Sequence, residues 1–432
     1  MKICPKCQRT FPNDAGFCPV DGTGLTGASL VPVAPNSDDA RIGTRLCGRY
    51  ELRRVVADGG MGRVYEGIDK QTDSRVAVKI LHPDVAKDEI ALERFKREYE
   101  INASLPHEHI VKVLDFQRDT VEDTWILVME FLDGEELRYA LKREKTLPPE
   151  RLVRMMAQVA IGLDEAHARG FIHRDLKPDN VFLVGTREGD VVKLLDFGSA
   201  KDTGNSKQKK LTVLGTTIGS PYYMAPEQAQ GLETIDPRAD VFALGAVVYE
   251  CLTGEVPFNG TNGPSILLAI LTKDPMPPTA KAGPDAKYPV AAGMDDVIEV
   301  ALAKNPNIRT KTVGILADQV GQAYGLSGDH RQWAAIPQAD LAVQIAEGLA
   351  KKASQVATLG AGVDPFAAPG AGSIEAAAAA DDMAAAFGAI READMGTSGL
   401  PSTGKPPWLV PVIVGVLALL VGGVVTLSVM MK

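Results

Sequence analysis

The run His173-Arg174-Asp175-Leu176-Lys177-Pro178-Asp179-Asn180 sets a carboxylate, a lysine two positions on and a side-chain amide five positions on within one short stretch. A strand pattern, Val191 to Leu195, then leads into Asp196-Phe197-Gly198. Gly219-Ser220-Pro221-Tyr222-Tyr223-Met224-Ala225-Pro226-Glu227 follows. Toward the N-terminus, Arg75-Val76-Ala77-Val78-Lys79-Ile80 reads as a strand. Side chains alternate faces along a strand, so Ala77 and Lys79 point one way while Val76, Val78 and Ile80 point the other. In the helical stretch 88–104, Ala91, Phe95, Glu98 and Asn102 recur with Leu105 on one face. A charge on an inward stripe needs a partner, and Lys79 is the natural one for Glu98. Earlier still, Val55-Val56-Ala57-Asp58-Gly59-Gly60-Met61-Gly62-Arg63-Val64-Tyr65 joins two strand patterns through a Gly-rich turn. Such a turn lets backbone amides approach an anion without side-chain interference.

The order V-A-V-K, Glu, H-R-D-x-K-x-x-N, D-F-G, A-P-E resembles the signature set of the eukaryotic-like (Hanks-type) Ser/Thr protein kinases of bacteria. The resemblance covers about residues 45–325. It implies an α+β, two-lobed kinase-like fold: a small β-rich lobe with one helix and a larger helical lobe. It implies ATP and Mg2+ as cofactors and proteins as substrates. On that basis Lys79, locked by Glu98, would hold the α- and β-phosphates. Asp175 would accept the substrate hydroxyl's proton, Lys177 would steady the γ-phosphate, and Asn180 and Asp196 would hold the metal. Val56, Gly59, Gly60, Gly62, Val64 and Ala77 would line the nucleotide, with Val64 and Ala77 over the adenine. Trp125 to Leu132 is similar to the strand entering the hinge. Met129 would then be the gatekeeper, Glu130 and Leu132 would offer backbone hydrogen bonds to adenine, and Glu136 would touch ribose. Lysine at 177 is the Ser/Thr pattern. Ala57 departs from the family's first phosphate-loop glycine, and its methyl is expected to weaken ATP binding.

Other residues are expected to be architectural. Asp240 would brace the catalytic loop from the start of an apolar run, Val241 to Leu252, too short at about 12 residues to span a bilayer. Arg309 would pair with Glu227 in a buried, structural ion pair. His107 and His109 read as turn or packing residues, and Cys47 and Cys251 as small buried hydrophobes. Two rival readings are a non-catalytic scaffold and a small-molecule kinase. Against the first stand the complete set Lys79, Asp175, Asn180 and Asp196. Against the second stand Ser220 and the A-P-E region with Arg309.

The stretch Asp196 to Glu227 has the place of an activation segment, and Arg174 beside Asp175 would await a phosphate. Trans-autophosphorylation is expected, at Thr216 first and at Thr212 or Thr217 next.

Outside this region the chain changes character. Of five cysteines, three crowd into the N-terminal stretch as Cys4-x2-Cys7-x10-Cys18-x2-Asp21. Paired knuckles of this spacing suit tetrahedral Zn2+, with Asp21 where a fourth thiolate would be usual. Residues 1–24 therefore read as a zinc-ribbon-like module and 25–44 as a loose linker. Residues 326–407 turn Ala-, Gly- and Pro-rich and read as a second linker, with helical patterns at 338–357 and 373–392. Leu409 to Met431 carries no charge and is long enough to cross a ~30 Å hydrocarbon core, so 408–431 is expected to be a transmembrane helix. The expected arrangement is a single-pass, tail-anchored protein with its kinase domain in the cytoplasm. Ala418, Gly422 and Thr426 form a small-residue stripe that could pair two helices into a homodimer. A net charge of -9 argues against a nucleic-acid partner.

Overall fold

The computed structural model describes residues 2–3, 10–11, 31–32, 39–59, 62–197, 201–202, 221–232 and 234–360. The proposed zinc ligands Cys4, Cys7, Cys18 and Asp21 lie outside the described residues. So do Gly60, the threonines Thr212, Thr216 and Thr217, and the segment 408–431. Among the described residues no helix is long and apolar enough to cross a membrane. Nor does any group of three or more His, Cys, Asp and Glu side chains gather there to hold a metal ion.

The small lobe's seven-stranded antiparallel sheet has five long strands, Tyr50–Asp58, Gly62–Asp69, Ser74–Leu81, Thr124–Glu130 and Val113–Asp119, in that spatial order, with the short strands Val31–Pro32 and Arg45–Leu46 both paired to the first. The alternation along Ser74–Leu81 divides its side chains as expected. Val76, Val78 and Ile80 enter one apolar cluster with Tyr50, Tyr65 and Val128. Ala77 joins Ala57 and Val64 on the opposite face, backed by Met129 and Phe131. The helix Glu89–Ser104 packs across this sheet through Phe95, which meets Leu81 and Leu127.

The larger lobe surrounds two helices, Pro149–Ala168 and Arg238–Thr253. Every residue of the second from Ala239 to Leu252 is buried, so the apolar run is a core helix. A small antiparallel sheet of Gly134–Glu136, Val181–Thr186 and Gly189–Leu194 lies at the lobe's edge. It matters because its central hairpin starts directly after Asn180 and ends just before Asp196, fixing the distance between the two motifs. Cys251 is buried, but Cys47 is only half-buried, in a turn at a φ of 48°. The buried-hydrophobe reading therefore fails for Cys47. His109 is buried and bonds the Val192 carbonyl at 3.1 Å, a packing role.

The linker reading of 326–407 does not hold for its first part. Leu326, Trp333, Leu341 and Ile345 are buried in the core of the large lobe. The helix His330–Ala335 starts on an Asp329 cap, and the helix Gln338–Gly360 follows. A single aromatic suffices because Gly321 offers a flat seat: a Cβ there would come within 2.1 Å of the Trp333 ring. The indole N–H donates to the Ser327 carbonyl at 3.0 Å, so the ring is buried without an orphaned donor. The N-terminal linker reading likewise fails for its last residues. Asp39 is tied into the small lobe, and Val31–Pro32 pairs with Ala57 and Asp58 at the sheet edge.

Candidate active site

Lys79 leaves its strand on the face opposite the main small-lobe core. Its Nζ donates to both carboxylate oxygens of Glu98, at 3.0 and 2.8 Å. Burial opposes charge on this lysine. The Glu98 and Asp196 carboxylates outweigh it and hold the ammonium above its ordinary range. Burial raises the Glu98 carboxyl to about 6, with Lys79 opposing and Asp196 adding to the rise. The two-pronged contact is the geometry of an ion pair. Asp196 also raises the proton affinity of Lys177, after burial and Asp175 have acted. One carboxylate thus faces both lysines, one from each lobe.

The catalytic-loop stretch is held from below by Asp240, fully buried. Its carboxylate accepts from the backbone amides of His173 and Arg174, each at 2.9 Å, and lies 2.7 Å from His167 Nε2. Burial opposes its charge, but the His167 bond and the nearby imidazoles keep the carboxyl below its usual range. That bracing explains how Arg174 sustains a φ of 68°, in the left-handed region where a non-glycine residue is strained. Gln228 Nε2 adds a bond to the Arg174 carbonyl at 2.8 Å. Asp196 shares the unusual backbone, with a φ of 58°. His173 bridges the two motifs. Its Nε2 meets the Leu195 carbonyl at 3.0 Å, and its ring lies 4.6 Å from that of Phe197.

On this frame Lys177 Nζ reaches Asp175 Oδ2 at 2.7 Å, and Asn180 Nδ2 donates to the Asp175 carbonyl at 2.6 Å. Asn180 is thus oriented nitrogen-first toward Asp175, leaving its oxygen as the end suited to a hard cation. With the Asp196 carboxylate, that donor set fits Mg2+.

Around the position expected for the nucleotide, Val64, Ala77 and Met129 form an apolar wall with Ala57 and Phe131. The Ala57 methyl is buried in this wall. Val56 falls at a register shift and is half-buried. Gly62 is required by the sheet, since a Cβ there would lie 2.2 Å from the Ile80 carbonyl oxygen. Gly59 donates its amide to Gly62 at 3.0 Å, closing the turn. The Glu130 amide is committed to Lys112 at 2.9 Å, and its carboxylate to Lys193 at 2.8 Å. Leu132 follows that strand and is half-buried.

Glu136 is buried, and its Oε2 has no hydrogen-bond partner among the described residues. Burial, reinforced by Asp179, pushes its carboxyl up to about 8. The folded chain therefore keeps a proton that the unfolded chain loses near 4.5. Between those two pH values the native state binds more protons, so this group lowers stability as pH rises from about 4.5 to about 8. Glu136→Gln should melt several degrees above wild type at pH 8 and level with it near pH 4.5. A lower melting point at pH 8 would contradict the assignment.

The cluster around Arg138 was not anticipated; the unsatisfied guanidinium of Arg174 was. Arg138 gathers Asp179 at 3.2 Å, Glu250 at 2.7 Å and the Tyr223 hydroxyl at 2.6 Å. The Arg174 side chain also has Nε and Nη2 buried without a hydrogen-bond partner among the described residues. Burial lowers its proton affinity, and Asp240 only partly offsets this.

Comparison with known proteins agrees with this geometry. The sequence profile of the protein kinase domain matches residues 50–320. The chain is 36% identical over 274 residues to the serine/threonine-protein kinase pkn3 of Myxococcus xanthus, covering 63% of this chain and 49% of that protein. It is 37% identical over 283 residues to PknA of Mycobacterium tuberculosis, covering 65% and 62%. For PknB of M. tuberculosis the figures are 38% over 274 residues, with 62% and 42% covered. The chain thus spans less than two thirds of the length of these relatives. Among solved structures, the PknI kinase domain of M. tuberculosis superposes with a TM-score of 0.50 at 28% identity, covering 65% of this chain and 98% of that one.

Proposed function

The chain belongs to the protein kinase domain family, and from that premise we propose that it transfers the terminal phosphoryl group of ATP to serine and threonine hydroxyls of proteins. The observation that carries the reading is the convergence of Lys79–Glu98, Asp175–Lys177 and Asn180 around the field of Asp196. Phosphoryl transfer asks mainly for alignment and charge neutralisation. Lys79 neutralises the inner phosphates, and Lys177 faces the group in transit. Asp175 receives the proton of the attacking hydroxyl as the new O–P bond forms and the bond to the leaving diphosphate breaks. Mg2+, held by Asn180 and Asp196, would supply further neutralisation of the phosphates. Lysine at 177 favours Ser/Thr acceptors.

Regulation follows from Arg174. Buried guanidinium nitrogens that no described residue satisfies are costly, and a phosphate on the activation segment would satisfy them. Thr216 is the preferred acceptor, then Thr212 and Thr217. Incubating the full chain with ATP and Mg2+ and mapping the product by mass spectrometry tests both proposals. Phosphate should appear on serine or threonine, with at least one of the three threonines occupied. The triple Thr→Ala chain should lose most of its activity. Phosphate on tyrosine alone, or a fully active triple variant, would refute the respective claim.

The same reading includes a Zn2+ module at Cys4, Cys7, Cys18 and Asp21, a membrane anchor at 408–431 and pairing of two such anchors. The ligand spacing and the uncharged apolar run support them. Zinc-free purified protein, or a full chain that stays in the aqueous fraction, would sink these proposals.

A further inference from the structure

The two shoulders of the phosphate turn, Asp58 and Arg63, face each other across the hairpin. They are joined by a hydrogen bond of 2.8 Å from Arg63 Nε to Asp58 Oδ2. The Asp58 shoulder is held by His82, just past the strand Ser74–Leu81. His82 Nε2 lies 3.1 Å from Asp58 Oδ1 and 2.9 Å from the Gly59 carbonyl. The Arg63 shoulder is held from outside the family-matched region, which starts at residue 50. Asp39 Oδ2 accepts from Arg63 Nη1 and, at 2.7 Å, from the Tyr65 hydroxyl. Its other oxygen accepts the Arg41 amide at 2.9 Å. Burial opposes charge on Asp39, but these three donors keep its carboxyl below the ordinary range.

An exposed ion pair would add little. This one differs, because the Asp39 side chain is only 8% exposed. Its charge-assisted bonds converge from two alternate positions of the same strand, Arg63 and Tyr65, on either side of Val64. The strand Val31–Pro32 lies on Ala57 and Asp58, so the preceding segment touches the other side of the same hairpin. A proline is tolerated there because it sits on an edge strand.

We propose that Asp39 is a positioning residue for the phosphate-binding turn, so that nucleotide affinity is set in part by the segment ahead of the kinase fold. This rests on the kinase reading above. The turn binds phosphate through backbone amides, which must be held in place before the ligand arrives. Loosening one shoulder lets the hairpin move and weakens binding. It leaves Asp175, Lys177 and the chemical step untouched once ATP is bound.

The test uses the full chain as wild type, Asp39→Asn and Tyr65→Phe. ATP KM and kcat are measured with a generic basic protein substrate, and equilibrium affinity with a fluorescent ATP analogue. In Asp39→Asn both KM and Kd should rise about three- to tenfold, with kcat within about twofold. Tyr65→Phe, which keeps the buried ring and removes only the hydroxyl, should move the same way by less. Unchanged KM and Kd in Asp39→Asn, or a fall in kcat at constant KM, would overturn the proposal. If Asp39→Asn does not fold, Tyr65→Phe alone decides by the same two readouts. A wild-type chain that binds nucleotide but transfers no phosphate would fault the kinase reading, while the Kd comparison would still judge Asp39.

Discussion

Asp175→Asn should lower kcat for phosphorylation of a protein substrate by about a thousandfold, while ATP KM changes by less than about threefold. Asparagine has nearly the same shape and can keep a contact to Lys177. It cannot take up the proton that the attacking hydroxyl must lose. On the proposed reading the nucleotide is held elsewhere, by Lys79 with Glu98 and by the turn at Gly59–Gly62. Binding and chemistry therefore separate in this variant. The frame should survive as well, because Asp240, not Asp175, holds the loop amides. The thermal melt should match wild type to within about two degrees. Steady-state kinetics beside a melting curve checks both. Retention of more than a tenth of the wild-type rate would remove Asp175 from its role and revive the scaffold reading.

The residues readable in advance are those whose chemistry leaves little choice. A strand lysine pointing away from its apolar neighbours, a helix glutamate on an inward stripe and an aspartate opening an apolar helix each pose a local problem of charge burial. For Glu98 a partner had to exist, and Lys79 supplies it; Glu227–Arg309 and Asp240 with the loop amides were expected from the family resemblance, and those contacts are present too. The period of two along Ser74–Leu81 likewise divided the residues between two clusters correctly.

What was not readable depends on partners chosen by the tertiary fold. Arg138 meets Glu250 across 112 positions and Tyr223 across 85, and an arginine on a short helix carries no sign of either. Gln228 looks like any helix glutamine until its bond to the Arg174 carbonyl is seen. The linker reading of the first residues after 325 was wrong because composition averages over a window, although the helical pattern at 338–357 was read correctly. One tryptophan against one glycine, with Leu341 and Ile345 one turn apart, is enough to seat it. Asp39 was lost in a stretch whose proline and serine content suggested a loose connection. Ala57 was judged by the family's pattern of glycines, whereas its surroundings ask for a small apolar side chain.

Arg309→Met should destabilise the large lobe by about 3–5 kcal/mol, the usual result of removing one partner of a buried ion pair. Its guanidinium meets Glu227 in a two-pronged contact at 2.8 and 3.0 Å and also donates to the Ala303 and Arg238 carbonyls. Methionine fills much of the volume but leaves the Glu227 carboxylate and both carbonyls without these donors. Glu227 sits in the helix Pro226–Ala229, whose Gln228 holds the Arg174 carbonyl. Loss of the pair therefore loosens the support of the catalytic loop as well. The melting temperature should fall by roughly 10 °C, and kcat should drop even well below the melt. Combining Arg309→Met with Glu227→Gln should recover part of the stability, because the stranded charge is then gone. The recovery should not extend to kcat, since the helix has still lost its anchor. A single variant that melts within about two degrees of wild type would show that the pair contributes little and that the helix is held by its apolar contacts instead.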